Sequence, residues 1–300
     1  MRLKITHETV YRYEEPATYA IQTLHLTPRD NGNQFVVDWR VEVSQDCRLK
    51  PVEDPYGNIT HSFSVDGPFD ELSIVATGEV LVEEANGVVR GVPDRMPTRL
   101  YLRDTSLTKP DAAIHAFARD LWCGQGGERL ATLHVLSREI NARLRFDPEA
   151  TDTTTSAAEA FAAGHGVCQD FAHVFVAAAR SIDIPARYVS GYMWRLDGDN
   201  VQPAAHAWAE AWVDEQLGWV GFDPANDVCP TEAYVRIACG LDYLDALPIR
   251  GVRYGGSGET MTVKVTVEDV GAIGRGATKV VVPAMFQTQS QGQGQSQGQG

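Results

Sequence analysis

Cysteine is scarce in this chain, with five residues among 300, and no two of them have the C-x-x-C spacing of a zinc or dithiol site. The odd number also argues against a framework of disulfides, so we expect a reducing cytoplasm, in which a free thiol survives. Long apolar runs are missing as well. No stretch approaches the roughly 20 apolar residues that a membrane-spanning helix needs, and the N-terminal residues have no apolar segment typical of a secretory signal.

Basic residues are outnumbered, since 26 Lys and Arg stand against 40 Asp and Glu, which gives a net charge of −14. A negative surface repels the phosphates of nucleic acids and anionic membranes, so we expect neither as a partner. The sequence also lacks the H-E-x-x-H, G-x-S-x-G and phosphate-binding Gly-Lys motifs. His165, Cys168 and His173 are close in sequence, but their spacing does not align them on one helix face. We therefore predict no cofactor and no metal.

The sequence pattern changes near residue 95 from β-rich runs to helical runs, and the length of the chain suits about two domains. Residues 1–95 contain short β-rich runs separated by Gly, Pro and Asn, and His7, Thr9, Tyr11 and Tyr13 alternate on one strand face. We predict an α+β protein: a β-sandwich-like domain at 1–95, a second domain at 100–285, and a Gln/Gly/Ser tail at 286–300 that cannot bury a core. In the second domain we predict helices at 112–121 and 128–144, a third between Ser156 and Gly164, and a fourth at about 168–181. Strands are predicted at 186–192, 206–213 and 219–222, with 261–267 and 279–282 as further strand candidates.

The start of the last predicted helix carries a candidate nucleophile. Ser156 and Glu159 fit a capping box for the preceding helix, and Gly164 can end that helix in the left-handed conformation. Cys168 then falls in the first turn of the next helix, where unpaired N–H groups and the helix dipole favour the thiolate. Most lone cysteines are small buried hydrophobes, so Cys168 alone would not indicate catalysis.

Two further residues lie on a predicted β-hairpin. His206 opens the first strand and Asp223 closes the second, with a short polar turn between the strands. Pairing Asp214 with Trp219 would place Asp223 opposite Glu210 and on the same face as His206, whereas a one-residue slip would reverse that face. Each residue alone has a plain structural interpretation, as a packed histidine or as a turn.

Together, Cys168, His206 and Asp223 supply the three parts that nucleophilic catalysis needs. The thiolate attacks an amide carbonyl, the histidine holds and passes the proton, and the aspartate orients the imidazole. The backbone N–H of Cys168 is one oxyanion donor, and Tyr192 and Trp194 are possibilities for a second.

Several segments, in order and at their intervals, resemble the transglutaminase-like superfamily, namely GVCQDFAH, IPARYVSGY, HAW and GWVGFDP. The chain is most similar to the bacterial branch of transglutaminase-like enzymes and candidate cysteine proteases. The resemblance runs from the strand THETVYRY to GLDY and PIRG. It implies a papain-like core, in which a nucleophile helix packs on an antiparallel sheet, with Cys168, His206 and Asp223 as the catalytic residues. The chain departs from the family pattern at Leu241, where we expect Arg, and at Ala205, where we expect Ser.

These residues predict a cysteine enzyme that transfers acyl groups through a thioester, with a peptide, a protein or another amide as substrate. Hydrolysis by a peptidase or amidase is the favoured outcome, and transamidation of protein glutamine is the alternative, because both share one acyl-enzyme. The competing class is a non-catalytic interaction module on the same fold. The oligomeric state is open.

Overall fold

The structure is a computed structural model that describes residues 1–148, 151–195 and 200–271. Within these ranges the helices are α1 (Ala112–Gly124), α2 (Arg129–Arg143), α3 (Ala157–Ala163) and α4 (Cys168–Ser181). The strands are β1 (Arg2–Thr27), β2 (Gln34–Val43), β3 (Lys50–Glu53), β4 (Ile59–Val82), β5 (Val88–Val89), β6 (Arg145–Phe146), β7 (His165–Gly166), β8 (Ala186–Met193), β9 (Val201–Gln202), β10 (His206–Trp212), β11 (Trp219–Phe222), β12 (Tyr234–Gly240), β13 (Ile249–Gly255) and β14 (Thr260–Asp269). The α+β class is confirmed. The predicted strand at 279–282 and the tail at 286–300 lie outside the described residues.

The first sheet is built on two long antiparallel strands, β1 and β4, which other strands extend in the order β2-β4-β1-β14-β9, with β13 also on β1 and β3 on β4. Residues 2–12 of β1 pair with 71–81 of β4, and residues 17–24 pair with 61–69, with register shifts between the halves. Apolar side chains of both halves fill one cluster, which makes the sheet sandwich-like. The predicted alternation is confirmed, because His7, Thr9, Tyr11 and Tyr13 are all buried.

The first sheet recruits β9, β13 and β14 from the later part of the chain. Residues 1–95 therefore do not complete it alone. The physical reason is that β4 occupies only one edge of β1, and β14 and β13 occupy the other along its two halves. Division of the chain into domains at 1–95 and 100–285 remains a prediction about folding units.

The second sheet has the antiparallel order β12-β8-β10-β11-β5 and carries helix α4 on one face. Helix α4 is buried from Cys168 to Arg180, with α1, α2 and α3 packed around it. The run Ala177-Ala178-Ala179 has side chains small enough for this close packing. The edge strand β12 is covered by side chains of the first sheet region, since Gln34 and Asn58 each exchange hydrogen bonds with its backbone.

A buried ion cluster joins three strands of the second sheet region. The Glu210 carboxylate accepts hydrogen bonds from Arg187 Nε at 2.6 Å and from Arg236 Nε at 2.8 Å, and the Arg187 guanidinium lies 4.0 Å from the ring centroid of Trp219. Burial by itself raises the pKa of Glu210, but the two guanidinium groups lower it to about 2. Glu210 is therefore ionised at neutral pH inside the protein.

No helix in the described part of the chain has the length and apolar character required to span a bilayer.

Candidate active site

Cys168 is the first residue of α4, and the turn before it is held in place by local hydrogen bonds. The capping box of α3 is confirmed, because Ser156 Oγ accepts from the N–H of Glu159 and the Glu159 carboxylate accepts from the N–H of Ser156. Gly164 ends α3 with a φ of 73°, as predicted. After the short strand β7 the chain enters α4, where Cys168 is 5% exposed.

Asp170 fixes the start of α4 and was not found from the sequence. Its Oδ2 accepts the N–H of Val167 at 2.8 Å and the hydroxyl of Thr151 at 2.7 Å. Burial raises the pKa of Asp170 to about 6, although these two hydrogen bonds act in the opposite direction. An acidic residue in the third position of a predicted helix is a signal that could have identified it.

His206 opens β10, where it pairs with Gly191 of β8. Its Nε2 lies 2.6 Å from Oδ2 of Asp223, and its ring stacks on Trp208 with 6.3 Å between centroids. Gly191 makes room for this arrangement, because a Cβ there would lie 2.6 Å from the Trp208 ring and 2.1 Å from the carbonyl oxygen of Val235. The imidazole is therefore held by the carboxylate of Asp223 and by the ring of Trp208.

Asp223 is fully buried and receives hydrogen bonds from four groups. Besides His206, Oδ2 accepts from Asn226 Nδ2 at 2.7 Å and from the Tyr234 hydroxyl at 2.9 Å, while Oδ1 accepts from the N–H of Ala225 at 3.1 Å. Burial by itself raises the pKa of Asp223, but the His206 charge and these hydrogen bonds lower it below its usual value. The carboxylate is thus ionised and rigidly placed.

The hairpin register differs from the predicted one by two residues. Trp212 pairs with Trp219, and the pairing continues to Ala209 with Phe222. Asp214 does not pair with Trp219, because its side chain accepts the N–H groups of Gln216 and Leu217, which makes it part of the turn. The expectation that Asp223 lies opposite Glu210 is therefore wrong, but an even shift keeps Asp223 on the face of His206.

The electrostatics of His206 depend on its two neighbours. Burial by itself lowers the pKa of His206, but the charge and hydrogen bond of Asp223, together with an interaction with Cys168, raise it to about 10. Nε2 is bonded to Asp223, which leaves Nδ1 as the ring nitrogen for the sulfur. At neutral pH the imidazole is cationic, and a cation beside the sulfur stabilises negative charge there. The structure thus brings Cys168, His206 and Asp223 to one site.

The sulfur and the imidazole line a narrow pocket of about 40 Å³. The lining residues are Pro148, Thr151, Asp152, Thr153, Val167, Cys168, Gln169, Tyr188, Ser190, Ala205, His206, Ala207, Tyr243 and Pro248. Neither Tyr192 nor Trp194 is among them, and the Tyr192 hydroxyl lies 2.9 Å from Nδ1 of His7 in the first sheet. The suggestion that these two residues supply the second oxyanion donor is therefore not supported.

Tyr243 is a pocket residue that sequence reasoning did not assign. Its hydroxyl is buried and has no hydrogen-bond partner within the described residues. Its backbone N–H donates to Nε2 of His173 at 3.1 Å, so this fully buried histidine positions Tyr243. Burial and the nearby Arg180 lower the pKa of His173 to about 3, which keeps the acceptor nitrogen unprotonated. Across residues 1–148, 151–195 and 200–271, no group of three or more His, Cys, Asp or Glu side chains is arranged to hold a metal ion.

Comparisons with known proteins identify the family of this chain. A model of the bacterial transglutaminase-like N-terminal region matches residues 3–81, and a model of the transglutaminase-like superfamily matches residues 116–224. An uncharacterized protein of Mycobacterium leprae is 32% identical over 273 residues, covering 86% of this chain and 95% of that protein. An uncharacterized protein of Mycobacterium tuberculosis is 29% identical over 296 residues, covering 90% of this chain and 92% of that protein.

A solved structure shares the fold across nearly the whole chain. A candidate cysteine protease from Cytophaga hutchinsonii superimposes with a TM-score of 0.69 at 19% sequence identity, covering 97% of this chain and 93% of that one. At this identity the likeness concerns the fold alone. The chain belongs to the transglutaminase-like superfamily, and it carries the bacterial N-terminal region of that family ahead of the core.

Proposed function

We propose that this protein is a cysteine enzyme that cleaves amide bonds through a thioester on Cys168, with water as the usual acceptor of the acyl group. The observation that carries the proposal is the ion pair of 2.6 Å between His206 Nε2 and Asp223 Oδ2, which leaves Nδ1 for the sulfur at the start of α4. An imidazolium held between a carboxylate and a thiol is the arrangement that thiol nucleophiles use.

The chemistry proceeds in two balanced steps. The Cys168 thiolate attacks the carbonyl carbon, and the carbonyl electron pair moves to oxygen. Collapse of this intermediate expels the amine, which takes the proton of His206, and leaves a thioester on the sulfur. In the second step the neutral His206 takes a proton from water and becomes imidazolium again, while the hydroxide attacks the thioester. The carboxylic acid then leaves as the thiolate re-forms.

Two donors can stabilise the oxyanion that forms in each step. The N–H of Cys168 is in the first turn of α4, where the positive end of the helix dipole favours a negative charge. Tyr243 lines the same pocket, and its buried hydroxyl has no hydrogen-bond partner within the described residues. We propose that these two groups form the oxyanion site.

Tyr243→Phe tests this role. We expect kcat to fall about 10²-fold with little change in KM, because loss of one oxyanion donor removes an interaction made mainly in the transition state. Tyr192→Phe is the matched control, since that hydroxyl is engaged with His7. A kcat of Tyr243→Phe within about twofold of the wild-type value would contradict the proposed role of Tyr243. An equal loss of kcat in Tyr192→Phe would contradict it as well.

Asp223→Asn tests the charge state of His206. The pKa of His206 is raised to about 10 mainly by Asp223, so the neutral amide should return it toward its ordinary value of 6.5. Departure of the amine needs the protonated ring, and activity is therefore lost as the pH rises through that pKa. We expect the basic limb of the kcat/KM profile to move to lower pH in Asp223→Asn. Asp227→Asn, a nearby carboxylate not bonded to His206, should leave the limb in place.

A glutamine-containing peptide incubated with a labelled primary amine separates hydrolysis from transamidation. Hydrolysis predicts release of ammonia and a new glutamate, or cleavage of the peptide, with little label incorporated. Incorporation of the amine at a rate comparable to hydrolysis would replace the hydrolase proposal with transamidation, because the two outcomes differ only in the acceptor that reaches the thioester.

A further inference from the structure

A groove of about 1790 Å³ adjoins the Cys168 pocket. Thr153 and Tyr243 line both spaces. Pro248, which immediately precedes β13, lines the Cys168 pocket, and every residue of β13 lines the groove. Strand β13 therefore begins beside the nucleophile pocket and leads away from it along the groove.

Strand β13 is an edge strand, since β1 is its sole strand partner in the described sheet. The N–H of His25 donates to the carbonyl of Pro248 at 2.8 Å, in register with the pairing of Leu24 and Ile249. Hydrogen-bonded pairs alternate along an antiparallel ladder. Ile249 and Gly251 therefore direct their backbone N–H and C=O groups away from β1. Ile249 is buried, but Gly251 is exposed, so another extended chain could pair there.

The groove also exposes apolar side chains next to this edge. Val252 is 62% exposed and Tyr254 is 68% exposed on β13, and Leu244, beside Tyr243, is 47% exposed. Side chains of both charge signs line the remainder, including Arg103, Asp104, Glu159 and Arg250. Mixed charge does not favour a small anion or cation, whereas apolar contacts beside free backbone groups are what extended peptides require.

We infer that the groove binds an extended polypeptide, which adds to the edge of β13 as a further strand and presents one of its amides to Cys168. The inference rests on the proposed function, because it supplies the substrate class for that site. The seven residues of β13 span about 23 Å at about 3.3 Å per residue, so the groove holds about seven substrate residues. Main-chain pairing supplies affinity with broad sequence tolerance, and the apolar side chains favour Val, Ile or Leu at alternate positions.

Backbone N-methylation of the peptide tests this mode of binding. The probe is a fluorescent peptide of seven alternating valine and threonine residues with a glutamine at each end, titrated by anisotropy into the full chain carrying Cys168→Ala. Only alternate amides of an added strand face its neighbour. We expect N-methylation of the amides that face β13 to weaken binding about tenfold or more. N-methylation of the amides that face away from β13 should weaken binding by no more than about twofold. Equal effects of the two sets, or no binding of the parent peptide, would overturn the inference.

A pair of matched variants places the peptide on β13. Val252→Lys should weaken peptide binding about tenfold, the loss expected for a central apolar contact. Val52→Lys, at a 56% exposed valine of β3 that does not line the groove, should leave binding unchanged. The inference would be overturned if the chain with its native Val252 self-associates and binds no peptide, and if this self-association disappears in Val252→Lys. The edge would then belong to a contact with a second copy of the chain.

The outcomes also separate this inference from the proposed function. If the protein turns over a single-residue glutamine amide but does not bind the longer peptide, the proposed enzymatic function stands and the inferred peptide-binding groove is rejected. If the peptide binds as an added strand but neither compound is turned over, the inferred groove stands and the proposed enzymatic function is rejected.

Discussion

Cys168→Ala is expected to reduce amide turnover about 10⁴-fold or more while the protein remains folded. The reason is that no second cysteine among the described residues lines the pocket, so the thioester route is lost rather than slowed. Folding should survive, because the side chain lies at the pocket and alanine preserves the first turn of α4. The measurements are kcat with an amide substrate and the circular dichroism spectrum.

Cys229→Ala is the matched control for this experiment. Burial, with Asp227 and Glu84 nearby, raises the pKa of the Cys229 thiol to about 11, so it stays protonated at neutral pH. Iodoacetamide near pH 7 should therefore label Cys168 before Cys229, and Cys229→Ala should keep full activity. Turnover that persists in Cys168→Ala would reject the assigned nucleophile. A wild-type chain that neither turns over amides nor labels at Cys168 would instead favour a non-catalytic interaction module.

Glu210→Gln is expected to destabilise the protein by about 3–5 kcal/mol, the range observed when one member of a buried ion pair is removed. The carboxylate is fully buried between Arg187 and Arg236. Its replacement removes the counter-charge that the two guanidinium groups share and leaves Arg187 only the exposed Asp94, 3.3 Å away. The free energy of unfolding, measured by urea denaturation at pH 7, tests this expectation.

The pH dependence of the free energy of unfolding is a second test of the role of Glu210. The pKa of Glu210 is lowered to about 2 in the folded protein, against an ordinary value of 4.5. Its stabilising contribution is therefore complete above pH 4.5 and is lost as the pH falls toward 2. Glu71→Gln, in an exposed ion pair with Arg12, is the control and should cost less than about 1 kcal/mol. A Glu210→Gln loss as small as that of Glu71→Gln would contradict the expected role of the cluster.

Local signals explain why the helices around the site could be predicted closely. Ser156, Glu159 and Gly164 act within a few residues of one another, so their capping roles are readable from sequence. Strand faces were predictable for the same reason, because alternation is a local property, and His206 and Asp223 share a face as expected.

Features that depend on distant partners could not be read in the same way. The exact hairpin register was missed because the Asp214 side chain binds the turn amides rather than continuing the strand. Tyr243 is placed at the pocket by contacts with His173, 70 residues earlier in the chain, and with the ring of Tyr188. The pairing of β13 and β14 with β1 joins residues more than 200 positions apart, and no local pattern encodes such a partner.

The recruitment of β13 and β14 to β1 has a consequence for synthesis on the ribosome. Residues 2–27 emerge first and can form a hairpin with β4, yet the opposite edge stays bare until residues 249–269 have been translated. At about 5–20 residues per second that delay lasts on the order of 10–50 s. During this interval a long unpaired edge is open to pairing with other chains, so chaperone shielding of the nascent hairpin should improve the yield of folded protein.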